Sequence, residues 1–393
     1  MNQAGRGRLV CSTCAQAHRW APLAPGRMAR CIRCDAVLAR GHRLDASALL
    51  ALTVAALLVF VMANGLPLVT IRLRGAELST SFPMALLATW RDGAPLVAGL
   101  SFFTALLAPA AFIGLRLYLL LPLVAGWRAP GEAACLRLLD TADRWNTVSV
   151  LGVAALLSLV RLAELAQATV GLGLLALGAL VLLLAAIESA GLRHLWPPDL
   201  AEQAAAAPRP RALGLQRTWA LLAAACVLML PANLLPMMST VQALRTTPHT
   251  LAGGIAELWL DDAWVLALLV FVASIVVPLL KIGALALLAW SVSHAPGWRQ
   301  TERSRLYRLI QAVGHWSMLD VYVVLLLVGM LRFGNLAGAV PGPALLAFGA
   351  VVVLTMLATH AFDPRWIWQD ADESGLPPPE GGCPVLPRPP LAL

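Results

Sequence analysis

The sequence is poor in charged residues, and it contains a single lysine, Lys281. Charged residues make up 13% of its 393 residues, whereas roughly 25% is usual in soluble proteins. Hydrophobic residues make up 59%, and the mean hydropathy is +0.76. These values exclude an ordinary soluble protein and predict an integral membrane protein.

Further absences narrow the range of functions. The sequence has no phosphate-binding loop of the GxxxxGK[ST] type, so any process that needs energy has to draw it from the proton gradient or from a partner. It shows no basic and aromatic surface of the kind that recognises nucleic acid, and no catalytic triad, so we expect neither a nucleic-acid partner nor an enzyme. The segment before Ala46 is polar, and we expect no cleavable signal peptide there.

Eight hydrophobic segments are long enough to cross a membrane, whose hydrocarbon core of about 30 Å needs roughly 20 helical residues. They lie at about 46–69, 95–124, 145–165, 169–190, 218–238, 263–291, 309–331 and 343–362. Arginine-rich connections alternate with arginine-poor ones, and the positive-inside rule then places both termini in the cytoplasm. The sequence therefore predicts an all-α polytopic membrane protein with eight transmembrane helices.

Four of the seven cysteines form two CxxC motifs separated by a longer spacer. This spacing lets two short turns present four thiolates tetrahedrally, which predicts one structural zinc site with the ligands Cys11, Cys14, Cys31 and Cys34. The alternatives are an iron site of the rubredoxin type, nothing bound, and disulfides, which a reducing cytoplasm disfavours. Because a closed four-thiolate site has no open coordination position, we expect a folding or docking module there.

The sequence is similar to itself at a fixed offset. Asn64 aligns with Asn233 and Trp90 aligns with Trp259, and a slightly larger offset continues the match further along the chain. Each unit contains four of the predicted spans, so both copies enter the membrane from the same side. We therefore expect two parallel four-helix repeats, related by an axis along the membrane normal.

These observations predict five regions. They are a cytoplasmic zinc ribbon (1–45), a first four-helix transmembrane repeat (46–190), a cytoplasmic linker (191–216), a second four-helix transmembrane repeat (217–363) and a cytoplasmic tail expected to be disordered (364–393). Alternating residues over 68–82 also predict a short hairpin between the first two spans, with a weaker counterpart at 239–258.

Two charged residues fall inside predicted spans of the second half. Asp320 lies midway between Arg308 and Arg332, so it is expected at the bilayer midplane, and Lys281 lies somewhat to the cytoplasmic side of centre in its own span. Charged residues inside a membrane are costly and usually face a partner or a water-filled space. A buried lysine can lose its proton, whereas arginine cannot, so we expect Lys281 and Asp320 to form a titratable pair.

Three hydroxyl residues are expected at similar depth: Ser274, Ser317 and Thr355. Together with the Lys281 and Asp320 pair they predict a hydrogen-bonded proton relay. The alternative is a static ion pair that fixes helix packing, with the hydroxyls bonded to their own helices. We expect the buried charges in the second half alone, and we interpret Arg116 of the first half as a snorkelling side chain.

These motifs together resemble the paraquat-inducible protein A family. They are the two CxxC pairs, the duplicated unit, PANLLPMM at 231–238, PLLKIG at 278–283 and HWSMLDVYVV at 315–324. The resemblance implies a lipid-transport subunit in the inner membrane of a Gram-negative cell, which moves a phospholipid or related lipid with a periplasmic partner carrying mammalian-cell-entry (MCE) domains. It also implies that Lys281, Asp320, Ser317, Ser274 and Thr355 belong to the polar network of the membrane domain. Relatives usually carry a second cysteine ribbon, which the 191–216 linker lacks.

Two other functions remain open on the sequence. A membrane redox protein would use the four cysteines as a rubredoxin-like iron centre, although no intramembrane histidine pair at haem-ligand spacing supports electron transfer. A non-transporting anchor for a periplasmic partner would leave the buried charges dispensable.

Overall fold

A computed structural model describes residues 8–19, 23–24, 26–41, 44–73, 76–165, 167–192, 195–196, 210–242, 245–260, 262, 264–295, 298–330, 332–333, 337–372, 383–384 and 387–388. Within these ranges, seven helical stretches are long and apolar enough to cross a membrane. They are Ala46–Gly65, Pro95–Val124, Leu172–Ala190, Arg211–Leu234, Ala267–His294, Gln300–Gly329 and Pro343–Gln369. The remaining predicted span forms a helix over Val148–Leu165, which contains Arg161 and Glu164 and is not among the seven.

The two halves contain the same kinds of helix in the same order. The first half has α1 (Ala46–Gly65), α2 (Phe82–Arg91), α3 (Pro95–Phe102), a π-helical segment (Phe103–Leu107), α4 (Ala108–Val124), α5 (Glu132–Trp145), α6 (Val148–Leu165) and α7 (Leu172–Ala190). The second has α8 (Arg211–Leu234), α9 (Leu251–Leu260), α10 (Trp264–Phe271), a π-helical segment (Val272–Val276), α11 (Val277–His294), α12 (Gln300–Gly314), a 3₁₀ turn (His315–Met318), α13 (Leu319–Met330) and α14 (Pro343–Ala361). The starts of the two π-helical segments are related by the same offset that aligns Trp90 with Trp259.

The N-terminal ribbon consists of two short hairpins. Strands β1 (Arg8–Val10) and β2 (Ala17–Arg19) form the first, and β3 (Met28–Arg30) and β4 (Val37–Arg40) form the second. Part of the tail that was expected to be disordered is folded. A last helix, α15 (Trp366–Asp372), buries Trp366, because a Gly214 without a side chain leaves room for the indole ring against α8.

The fold is not purely α-helical, because each half also carries a small antiparallel sheet. In the first half β5 (Val69–Leu73) pairs with β6 (Ala76–Thr80), as predicted, and with β7 (Gln167–Val170). In the second half β8 (Pro236–Gln242) pairs with β9 (Arg245–Thr250) and with β11 (Ala337–Pro341), which also pairs with β10 (Arg332–Phe333). Two short tail strands, β12 (Cys383–Pro384) and β13 (Pro387–Arg388), pair with the ribbon.

Glycine is required where α7 and α14 leave these sheets. A Cβ at Gly171 would lie 2.2 Å from the carbonyl oxygen of Pro67, and a Cβ at Gly342 would lie 2.1 Å from that of Pro236. Since real Cβ atoms do not approach a carbonyl oxygen so closely, neither position accepts a side chain without a backbone shift. Both sheets are therefore fixed to the helices in the same way.

Two prolines mark the positions where long helices change from π-helical to α-helical geometry. Pro109 and Pro278 lie in the first turns of α4 and α11, directly after the π-helical segments. A proline removes a backbone donor and clashes with the preceding turn, and a π-helical segment accommodates such a defect within a continuous helix. Pro67 and Pro236 instead lie beyond the ends of α1 and α8.

The main apolar core joins the two halves. Helix α13 packs against α2 and α6 of the first half, and its Val321, Tyr322 and Leu325 are fully buried. A second apolar cluster places the ribbon cysteines together with side chains of α8, α11, α12, α14 and α15. The ribbon is therefore packed onto the second half and is not separate from it.

Candidate functional sites

The four ribbon cysteines converge on one point. Their Sγ atoms all lie within 4.8 Å of one another and are buried, with 3.5 Å between Cys11 and Cys34 and between Cys14 and Cys31. A hydrogen bond with Cys14 lowers the pKa of the Cys11 thiol to about 6. Tetrahedral coordination with metal–sulfur bonds of about 2.3 Å separates ligand sulfurs by about 3.8 Å. The residues therefore fit a closed four-thiolate metal site.

The two CxxC turns share one backbone conformation. Ala15 and Asp35 each follow the second cysteine of a turn, and both have φ of 59°. Their amides donate to the carbonyl oxygens of Cys11 and Cys31, at 2.9 Å in each case. This left-handed residue turns the chain back so that both thiols of a motif point to the same side.

The ribbon contacts the second half through the arginines of α12. Arg308 donates to the backbone oxygen of Cys34 at 3.1 Å, and Arg305 lies 3.8 Å from the carboxylate of Asp35. Both acceptors belong to the second CxxC turn. The metal site is therefore in direct contact with the helix that leads towards Asp320.

Asp320 directly follows a 3₁₀ turn within the helical stretch Gln300–Gly329. The predicted span 309–331 contains this 3₁₀ turn, and Asp320 is the second residue of α13, which continues from it. Its side chain is 5% exposed, and Ser274 of the second π-helical segment lies next to it. From Asp320 to the end of α13 at Met330 the helix rises about 15 Å, or half of a hydrocarbon core.

Lys281 and Asp320 do not form the expected ion pair, since no nitrogen–oxygen distance of 4.0 Å or less joins them. The Lys281 ammonium instead ends beside Gly314, where an added Cβ would lie 3.3 Å from Nζ. It is 4% exposed and has no hydrogen-bond partner within the part of the chain that the structure describes. The physical reason is distance along the helix: Gly314 lies six residues before Asp320 in the stretch Gln300–Gly329, which is roughly 10 Å along the axis.

The other hydroxyls of the predicted relay occupy different environments. Ser274 Oγ lies 2.6 Å from the carbonyl oxygen of its own helix as well as beside Asp320. Ser317 is buried in the 3₁₀ turn, and its Oγ has no hydrogen-bond partner among the described residues. Thr355 donates to Val352 of its own helix at 3.0 Å. Ser274 therefore lies close to Asp320 in space, and Ser317 lies three residues before it in the chain. Thr355 is hydrogen-bonded within its own helix.

A cavity of about 350 Å³ opens between the two halves next to Lys281. Its other lining residues are Asp143, Arg144, Ile310, Gln311, Ala312, Gly314, Met356, Thr359 and His360. Asp143 and Arg144 belong to α5 of the first half, and the others belong to α12 and α14. Beside the cavity, Trp145 of α5 stacks on the ring of His360 with 5.5 Å between centroids, so the two halves are in contact there.

The interpretation of Arg116 as a snorkelling side chain is wrong, because Arg116 is a buried charged group of the first half. Arg116 is 5% exposed and does not snorkel to the surface. Its guanidinium lies 4.4 Å over the ring of Phe112 and donates to the carbonyl oxygen of Ile187 at 3.4 Å, and Asp143 and Glu188 attract it electrostatically. Buried charges are therefore present in both halves. In the sequence, Glu188 could have pointed to this buried arginine, because it is an acidic residue near the end of an apolar span and could partner a buried cation.

A polar cluster at the interface between the halves was also missed. The hydroxyl of Tyr322, on α13, forms hydrogen bonds with Thr104 of the first π-helical segment, at 2.7 Å, and with Thr147. All three residues are fully buried. Because both threonines belong to the first half and the tyrosine to the second, no local pattern pointed to them.

Comparison with known proteins gives the following matches. The family model described as Paraquat-inducible protein A matches residues 46–198 and 215–372. Intermembrane transport protein PqiA of Escherichia coli is 40% identical over 161 residues, which are 41% of this chain and 38% of PqiA. Lipophilic envelope-spanning tunnel protein A of Escherichia coli is 28% identical over 378 residues, which are 88% of this chain and 87% of that protein.

A probable intermembrane transport protein of Haemophilus influenzae is 36% identical over 164 residues, 41% of this chain and 38% of the relative. The chain thus spans less than half the length of this protein and of PqiA. No solved structure matches.

Proposed function

Because the chain belongs to the paraquat-inducible protein A family, we propose that it is an inner-membrane subunit of an intermembrane lipid transport system. The observation that carries this proposal is the similarity to Lipophilic envelope-spanning tunnel protein A, which covers 88% of this chain. The apolar helices make the chain a multi-pass membrane protein.

The proposed architecture has eight transmembrane helices in two parallel four-helix repeats, with α6 as the eighth span. The recurring order of elements, the shared offset of the π-helical segments and the separate family matches to 46–198 and 215–372 all support it. In this arrangement the ribbon (1–45), the linker (191–216) and the tail lie in the cytoplasm, and the two sheets face the periplasm. The four cysteines would hold a structural zinc ion, which would join the two CxxC turns into one folded unit.

The partner in this proposal is a periplasmic protein with MCE domains, and the cargo is a phospholipid or related lipid. Family membership is what supports both. The chain has no phosphate-binding loop of its own, and buried titratable groups can couple a conformational change to proton movement. Asp320, Ser274 and Ser317 would exchange protons at the junction of the 3₁₀ turn and α13, and Lys281 would be reached through the adjoining cavity instead of by direct pairing.

Complementation of a deletion strain tests the proposal, scored by survival under envelope stress with membrane levels checked by blot. Asp320→Asn removes the proton-binding site with little change of volume, so we expect loss of function at normal protein levels. Lys281→Arg keeps the charge but cannot release a proton, and we expect the same loss. Asp262→Asn is the matched control, because it makes the same chemical change at an exposed position.

The outcomes separate the alternatives. Survival of Lys281→Arg with loss of Asp320→Asn would mean that the lysine charge is enough, and the relay would not include Lys281. Normal function of both variants would contradict proton coupling and favour an anchor that holds a periplasmic partner without transport. Affinity purification of the wild-type chain from cross-linked cells then tests the partner, since an MCE-domain protein should be recovered with it.

A further inference from the structure

We propose that the cavity between the halves binds a phosphate-type anionic group, with Lys281 and Arg144 as its cationic contacts. This inference deepens the proposed function, on which it rests for one point: a lipid headgroup is the expected source of the phosphate. Free phosphate offers the same chemistry, and the experiment below distinguishes the two sources.

The Lys281 ammonium is the first observation. Lys281 lines the cavity, its side chain is 4% exposed, and its buried Nζ has no hydrogen-bond partner in the described part of the chain. Burying an ammonium group without a partner is costly. An anionic ligand that entered the cavity would satisfy the donors of this ammonium group, and lysine is a common point-charge contact for phosphate.

Gly314 is the second observation, because it leaves the end of the lysine side chain free to reach a ligand. A Cβ at this position would lie 3.3 Å from Nζ and 3.6 Å from Cε. Any larger side chain would therefore press on the ammonium group and occupy the space in front of it. Gly314 also lines the cavity, so the absence of a side chain there keeps this part of the wall open beside the lysine.

The balance of charge around the cavity is the third observation. Arg144 and Lys281 are cationic, and Asp143 is the single acid among the lining residues. The Asp143 carboxylate also interacts with the buried guanidinium of Arg116, which offsets its charge. Gln311 and Thr359, which also line the cavity, are neutral. His360 forms a hydrogen bond between its Nδ1 and the carbonyl oxygen of Met356, at 2.7 Å.

Depth and size favour the headgroup of a lipid as the source. The cavity is walled by the ends of α5 and α12, the two helices in which charged residues are frequent, so it lies where apolar spans give way to polar helices. Its volume of about 350 Å³ is near the lower end of the roughly 300–1,000 Å³ that small-molecule sites occupy. It suits a phosphate with a small substituent, and acyl chains would extend outward between helices.

Native mass spectrometry of the delipidated full-length protein tests the site, with dioctanoyl phosphatidylglycerol as the probe. We expect one bound lipid, and about tenfold weaker binding in each of Lys281→Met and Arg144→Gln, because each removes a charge-assisted contact. Arg137→Gln is the control: Arg137 lies on the same helix, is exposed and does not line the cavity. Arg144 is exposed too, so its variant keeps the test decisive if Lys281→Met does not fold.

Two further probes identify the source. Dioctanoylglycerol has the same chains without the phosphate, and it should not compete; inorganic phosphate should compete weakly. Binding of inorganic phosphate without the lipid would support the anion site and assign it to free phosphate. Lipid binding that is unchanged in both variants, or equal binding of dioctanoylglycerol, would overturn the proposal. Since this assay measures binding alone, a failure here is distinct from a loss of transport in the complementation test.

Discussion

Gly329 of α13 and Ala85 of α2 bring the two halves into backbone contact. A Cβ at Gly329 would lie 2.5 Å from Cβ and 2.6 Å from Cα of Ala85. Membrane helices approach each other closely through such small residues, because packing replaces the hydrophobic driving force that is absent between helices in lipid. The fit between the halves is therefore set at this point by the lack of a single methyl group.

This contact makes Gly329→Ala destabilising. The added methyl has to push α13 away from α2, and overpacking of this kind costs about 1–3 kcal/mol. Thermal unfolding of the purified protein in detergent measures the loss. Gly283→Ala is the control, since Gly283 is exposed on α11 with no atom within 4 Å of the added Cβ, and the helix should gain up to about 1 kcal/mol. Equal unfolding temperatures for the two variants would contradict the close approach.

Tyr322→Phe tests the polar cluster between the halves. The change removes the hydroxyl that joins Thr104 to Thr147, and we expect a loss of about 1–3 kcal/mol because buried hydroxyls lose their partner. Tyr118→Phe provides the comparison: its hydroxyl also donates a hydrogen bond, to Pro130, but the residue is exposed. If both variants unfold at the wild-type temperature, the cluster does not contribute to the interface.

Metal analysis tests the four-cysteine site. We expect one zinc per chain in the purified protein, none in Cys31→Ser, and an unchanged amount in Cys226→Ser, whose thiol is exposed and is not one of the four clustered cysteines. Elemental analysis with an absorption spectrum gives both the stoichiometry and the metal. Iron with a visible absorption band would contradict the zinc prediction and favour the redox function.

The contact between the ribbon and α12 predicts a change in protease sensitivity. Removing both Arg305 and Arg308 deletes the ion pair with Asp35 and the hydrogen bond to Cys34. Exposed contacts of this kind contribute up to about 1 kcal/mol each, so chymotrypsin should cut the ribbon a few times faster in the double alanine variant. Arg299→Ala removes an exposed pair with Glu302 on the same helix and should not change the rate.

The predictions from the sequence were most successful for features whose contacts lie within one short segment of the chain. The cysteine site depends on two CxxC turns, and each turn closes through a hydrogen bond within a single motif. The hairpin over 68–82 likewise follows from local alternation. In these cases the relevant contacts lie within a short stretch of the chain.

Features that depend on tertiary packing could not be predicted in the same way. The expected Lys281 and Asp320 pair assumed that the lysine lies within reach of the carboxylate, but helix packing places its Nζ beside Gly314. Whether Arg116 reaches the surface depends on α7, which covers it. Strands β7 and β11 find their partners far away in the chain, where no periodicity within one segment carries information.

A chain with a single lysine has a single side-chain amine, and here that amine lies at the wall of a cavity. Reductive methylation with isotope-labelled formaldehyde would label Lys281 and the N-terminal amine alone, without any substitution. The methyl resonance of Lys281 would then report the electrostatic surroundings of one buried position in a protein of 393 residues. The near-complete use of arginine elsewhere thus leaves the membrane interior with a built-in spectroscopic reporter.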